Sequence, residues 1–217
     1  MVNKNILLID EHPIVLEALS HRLNPVPEFT VIGQHTHSDR AFFDIFERRP
    51  DIVIMGLELP GRGAIEVADQ ISARLPATRT VFFTDYDTDI FIDVALRLGV
   101  AGYLLKREPV NQVVESLKRI ALGENVYSDS ILERLHYDRE TREYRVKTQS
   151  FFSSLTLRQI QVLRHLARGE SVKEVAKSMM LSERAIESHK YRIMQKMGIH
   201  DRVVLTRFAI REGLMPA

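Results

Sequence analysis

Four polar positions in the N-terminal half have the residue types to hold a hard cation and a phosphoryl group. They are the acidic pair Asp10 and Glu11, the hydroxyl of Thr84 and the ammonium of Lys106. Carboxylate oxygens suit Mg²⁺, while a hydroxyl and an ammonium meet phosphoryl oxygens. Taken singly, each has a plainer use: Asp and Thr cap helices, and a lysine solvates a surface. Their placement argues for convergence, because each follows or ends a short apolar run. The run Ile52-Val53-Ile54-Met55 should enter the same region, yet it leads into Gly56. Glycine has no side chain, so the middle of the constellation is empty. Glu58 is the nearest carboxylate. It either sets a fixed negative charge near Thr84 and Lys106 or lies as an exposed loop residue.

A second group is basic and lies near the C-terminus. Val172, Val175, Ala176 and Met179 make one apolar face, a short turn follows at Met180-Leu181-Ser182, and Ala185, Ile186, His189, Ile193 and Met197 make another. Two helices so joined form a helix-turn-helix, in which the second helix enters the major groove of DNA. Its outward face carries Arg184, Glu187, Ser188, Lys190, Tyr191 and Arg192. Near the helix start, Glu187, Ser188 and Tyr191 are candidates for reading base edges. Lys173, Lys190, Arg192, Lys196 and Arg202 are candidates for phosphate contacts, and His189 falls on the packing face.

The elements that must position these residues are legible from periodicity. Strand-like runs at 5–9, 29–33, 52–55, 80–83 and 102–105 alternate with helical patterns near 13–23, 39–48, 64–74, 88–98 and 110–122. Alternation of this kind predicts a doubly wound, five-stranded parallel sheet with helices on both faces, its chemistry at the C-terminal ends of the strands. Residues 133–149 are densely charged with mixed sign and read as a linker, helical at its start. Beyond it, Thr156 with Gln159 and Ser171 with Glu174 have capping-box spacing. Ser182 and Asp201 supply two more N-caps, and Gly169, Gly198 and Gly213 stand where helices should stop. Four helices near 157–168, 172–179, 183–197 and 202–211 form a smaller all-α unit. The expected division is 1–128, a linker over 129–152, and 153–217.

The pieces LLIDEHP, DIVIMGLELPG, VFFTDYD and GVAGYLLK resemble a receiver domain of two-component response regulators. The resemblance implies that Asp10 and Glu11 match the Mg²⁺-binding pair, Thr84 the hydroxyl switch, Tyr103 the aromatic switch and Lys106 the phosphoryl-contacting lysine. Gly56 stands where the family has its phospho-accepting aspartate, which removes the nucleophile and one metal ligand. The segment 155–214 resembles the DNA-binding domain of the LuxR/FixJ/NarL class through its LT-x-R opening, A-x-G-x-S-x-KE-x-A centre and H-x-x-x-I-x-x-KMG ending. That likeness implies double-stranded DNA as partner and a homodimer paired through the last helix, around Val203, Val204, Thr206, Arg207 and Ile210.

Composition narrows the field. The 217 residues carry a net charge of +1, but 12 Lys/Arg stand against 6 Asp/Glu from Ser154 onward, leaving 18 against 23 in the rest. Nucleic-acid contact therefore belongs to the C-terminal part. The absence of cysteine excludes disulfides, thiolate zinc sites and a cysteine nucleophile. No run is apolar for long enough to span a bilayer and no signal-peptide pattern opens the chain, so the expected setting is cytoplasmic, with no membrane partner. No nucleophile elbow, Gly-rich phosphate loop or metal-ligand spacing points to an enzyme. Mg²⁺ is the single cofactor candidate, with Asp10 and Glu11 as an incomplete ligand set. The expectation is an atypical, DNA-binding transcriptional response regulator controlled through a partner, a ligand, protein level or dimerisation. The alternatives are an orthodox phosphorylation switch carrying a Gly56 substitution, and an interaction adaptor or anti-activator.

Overall fold

Each apolar run in the N-terminal half is a strand because its alternate side chains have a core on either face of the sheet. The computed structural model describes residues 3–141, 143–148 and 152–214. It runs β1 (Lys4–Ile9), α1 (Pro13–Leu23), β2 (Phe29–His35), α2 (Ser38–Arg48), β3 (Ile52–Met55), α3 (Ala64–Arg74), β4 (Arg79–Thr84), α4 (Asp89–Leu98), β5 (Gly102–Leu105), α5 (Val110–Ala121) and β6 (Val126–Tyr127). The sheet is parallel, in the order β2-β1-β3-β4-β5-β6. In β1, Leu7 and Ile9 join the core under α2, α3 and α4, while Ile6 and Leu8 join the core under α1 and α5. The doubly wound fold is as expected, with one strand more than the five anticipated. The sixth, β6, is two residues long and pairs Val126 with Gly102 and Tyr127 with Tyr103, too short to carry a periodicity of its own.

The charged stretch after the sheet departs from its expectation. Only α6 (Asp129–Leu132) is helical, and a hairpin of β7 (Leu135–Asp138) and β8 (Glu143–Val146) replaces the open linker. The few apolar residues there are in register: Leu135 lies opposite Val146, and Tyr137 opposite Tyr144. Tyr144 also stacks edge-on with Tyr127 at 5.5 Å between centroids. The Asp138 carboxylate accepts from the backbone N–H of Glu140 and Thr141 and closes the turn. A sparse apolar pattern thus suffices, because both its halves face one surface.

The C-terminal unit comprises α7 (Leu157–Ala167), α8 (Val172–Ser178), α9 (Glu183–Met197) and α10 (Arg202–Arg211). Both capping boxes form, Ser182 and Asp201 cap α9 and α10 by side chain, and Gly169, Gly198 and Gly213 have positive φ. Every residue of α7 from Gln159 to Ala167 is buried. That is more than a one-sided amphipathic helix allows, because α7 packs on α8, α9 and α10 and also against α3 of the sheet unit. Replacing Thr156 by Ala removes the acceptor for the Gln159 N–H at 3.2 Å. It should cost about 1 kcal/mol, read as a lower midpoint in urea at unchanged slope.

Candidate phosphoryl site and nucleic-acid interface

The strand order sets Gly56 between the ends of β1 and β4, since Met55 is in register with Ile9 on one side and with Phe82 on the other. Asp10 is buried beside it, its Oδ1 accepting from the His12 N–H at 3.0 Å. Lys106 Nζ lies 2.7 Å from Asp10 Oδ2. The ammonium thus reaches across the end of the sheet to the carboxylate that remains. A Cβ added at Gly56 would stand 3.0 Å from Asp10 Oδ2, so Asp10 already borders the space in which a larger residue would begin. Glu11 is exposed. Among the described residues no three His, Cys, Asp or Glu side chains gather as a metal would need. With one Asp10 oxygen held by Lys106 and no carboxylate at position 56, the donor set does not fit Mg²⁺.

Thr84 and Tyr103 belong to one local network. Thr84 Oγ1 accepts from the Tyr86 N–H at 3.2 Å, and the buried Tyr103 OH donates to the Tyr86 carbonyl at 2.8 Å. Burial holds the Tyr103 phenol far above the usual range. The Tyr86 OH in turn donates to Glu58 Oε1 at 3.2 Å, and burial together with that carboxylate pushes its pKa up to about 12. Glu58 has neither of the positions expected for it. It is half-buried and faces α7, where Arg164 pairs with Oε1 and Arg168 with Oε2. The Arg164 side chain is 7% exposed and its guanidinium lies 4.9 Å from the Phe91 ring centroid. Burial lowers its pKa from the ordinary value, and Glu58 opposes that shift. Residue spacing carried no signal for this contact, because its partners lie in different domains.

On α9, Arg184, Glu187, Ser188, Tyr191 and Arg192 are exposed along one face, and Lys173 is exposed on α8. Tyr191 is 64% exposed. Ser182 orients the start of the helix by accepting from the Ala185 N–H. Two candidates are partly engaged. Lys190 Nζ pairs with Glu187 Oε2 at 2.6 Å, whereas Lys196 Nζ donates to the Ser154 carbonyl at 2.7 Å and to Gln159 Oε1 at 3.0 Å. Lys196 therefore braces the start of α7 and is not aimed with the others. The Arg202 side chain lies outside the described residues. His189 packs as expected, and its Nδ1 meets no partner among the described residues.

Comparison with known proteins accounts for this architecture. The response regulator receiver domain family matches residues 6–118, and the luxR family of bacterial regulatory proteins matches residues 153–209. The chain belongs to the response regulator family. Its curated relatives include the response regulator UvrY of Escherichia coli, 27% identical over 98% of this chain and 96% of that one. GacA of Pseudomonas protegens is 26% identical over 98% of each. The relatives are regulators by name, not enzymes. Among solved structures, the response regulator RcsB of Salmonella typhimurium has the same fold, with a TM-score of 0.72 at 23% identity over 96% of this chain and 97% of that one. A complex of RcsB with DNA superposes with a TM-score of 0.71 at 24% identity, covering 95% of this chain and 98% of that one.

The receiver edge and the C-terminal unit each yield one expected outcome. Replacing Lys106 by Ala leaves the buried Asp10 Oδ2 without its cation, with only Oδ1 still held by His12, which should cost about 3 kcal/mol in urea unfolding. In the luxR-type domain, burial first and then Arg158 and Arg192 lower the His189 pKa below its ordinary value of 6.5. The neutral ring is the folded form, so its contribution is complete above the unfolded pKa and is withdrawn as pH falls below it. Titration of the His189 ring proton by NMR should give a midpoint below 6.5.

Proposed function

We propose that the chain is a sequence-specific transcriptional regulator that binds double-stranded DNA as a homodimer and is not switched by phosphorylation at position 56. One observation carries the DNA reading: the outward face of α9 presents Arg184, Ser188, Tyr191 and Arg192 to solvent from a fully capped helix-turn-helix. Arg184, Arg192 and Lys173 are the phosphate contacts, while Ser188 and Tyr191 face base edges. Glu187 joins them when Lys190 exchanges its carboxylate for a phosphate. RcsB is solved bound to DNA, including as two dimers on two parallel DNAs, and the same partner and dimeric state suit this chain. Val203 and Val204 on α10 are exposed, which supplies an apolar surface for pairing.

The receiver reading rests on the Asp10–Lys106 pair closing across Gly56. No carboxylate is in place to form an acyl phosphate, and the lysine that would meet a phosphoryl group is already neutralised. Control then falls to a partner or ligand at the receiver, to protein level or to dimerisation. No helix among the described residues is long and apolar enough to cross a membrane, in keeping with a cytoplasmic regulator.

Selection of genomic fragments by the untreated protein should recover a two-fold symmetric site. Affinity should fall steeply with salt, each lost phosphate contact reducing the log–log slope by about 1. Lys173→Ala and Arg184→Ala should weaken all sequences alike, whereas Tyr191→Ala should relax preference at one position. No enrichment and no salt-dependent affinity would instead identify an adaptor. Incubation with a small phosphodonor should leave both the protein and its Gly56→Asp variant without a base- and hydroxylamine-labile label. A labelled Asp variant with raised DNA affinity would restore the orthodox switch.

A further inference from the structure

The edge of the receiver that has lost its acceptor is joined to the DNA-binding domain by one carboxylate. Glu58 lies two residues beyond Gly56 and is gripped by Arg164 in the last turn of α7 and by Arg168 at its C-cap. Its third partner is the Tyr86 OH. Tyr86 is in turn held by both switch positions, its N–H by Thr84 and its carbonyl by Tyr103. A continuous path of hydrogen bonds therefore runs from the core of the receiver through Tyr86 and Glu58 to α7.

Weaker ties surround this point. Arg158 lies 3.6 Å from Glu66, Arg97 donates to the Leu155 carbonyl at 3.0 Å, and Thr88 Oγ1 donates to the Gly213 carbonyl at 3.4 Å. None of them holds a cation as deeply buried as Arg164. A buried guanidinium deprived of its carboxylate is strongly unfavourable, so the packed interface and the Glu58 pair stand or fall together. The docked surface is α7, the end of α10 and Met180 of the α8–α9 turn, whose Sδ lies 3.7 Å from Arg62 Nη2, and the recognition face of α9 remains exposed in that state. Docking thus leaves the DNA-reading surface free.

From this geometry we infer that Glu58, Arg164 and Arg168 form a phosphate-independent clasp that holds receiver and DNA-binding domain as one unit in the binding-competent arrangement. Its negative charge is built in and needs no modification. The clasp converts two tethered domains into one body, so in a dimer paired through α10 the two receivers are held at set positions beside the recognition helices and not over a range of them. Its effect on DNA binding rests on the function proposed above, whereas the docking itself does not.

The test uses the full chain and the variants Glu58→Gln, Arg168→Gln and Tyr86→Phe. Small-angle scattering reads docking, and titration reads affinity for the selected two-fold site and for a single half-site. Glu58→Gln should lengthen the maximum dimension and weaken two-fold binding about tenfold, with half-site binding unchanged. Arg168→Gln, at a half-exposed position where the fold is secure, should do the same to a smaller extent, and Tyr86→Phe least of all. Unchanged dimensions in Glu58→Gln and Arg168→Gln would overturn the clasp. Opened dimensions with equal or tighter two-fold binding would overturn its permissive role and make it a restraint. If no variant and not even the parent binds DNA while the dimensions still open, the clasp stands and the DNA reading fails.

Discussion

An ammonium at the rim of a parallel sheet needs a counter-ion, and the arrangement around Lys106 follows from which carboxylate is within reach. Position 56 is the middle of three strand ends and offers none. Asp10, buried on the neighbouring strand, takes the role at 2.7 Å. This one pair gives the lysine a counter-ion and occupies one oxygen of the buried carboxylate. Gly56 thus sits beside an ion pair that joins residues at the ends of its neighbouring strands.

Thr84 and Tyr103 lie near the same edge of the sheet, and their hydrogen bonds lead away from Lys106. Thr84 and Tyr103 converge on the backbone of Tyr86, and the Tyr86 phenol carries the path outward to Glu58. From there the path enters α7 through two guanidinium groups. Arg164 is the costly member, because burial disfavours its charge and the Glu58 carboxylate is the chief group that offsets that cost. An apolar core continuous from Phe91 and Ile65 to Ile160 and Leu163 surrounds the pair. Polar specificity and apolar area therefore act at the same interface: the core supplies adhesion, and the ion pair sets the register in which α7 sits.

The hairpin and the recognition helix show two ways in which local pattern meets tertiary demand. In the hairpin, four apolar residues among many charges look insufficient until their cross-strand register brings them to one side, against α4 and Tyr127. In α9 the reverse holds. Capping residue, apolar stripe and polar face are all local, so the element folds as its sequence implies. Lys196 is the exception, a surface cation whose carbonyl and amide partners lie some forty positions away in the chain.

Much of this protein was legible before any coordinates. The doubly wound sheet, the four C-terminal helices with their caps and stop glycines, the outward face of α9 and the vacancy at Gly56 all follow from residue type and short-range spacing. These signals are local, and local backbone preferences express them directly. What tertiary structure alone decided is where long charged side chains end. Lys106 turns to Asp10, Glu58 turns away from Thr84 and Lys106 toward Arg164 and Arg168, and the mixed-charge stretch folds back as a hairpin. An ion pair between residues 106 positions apart leaves no periodicity in the chain. Its partners are chosen by burial and by reach, and both exist only once the two domains are packed.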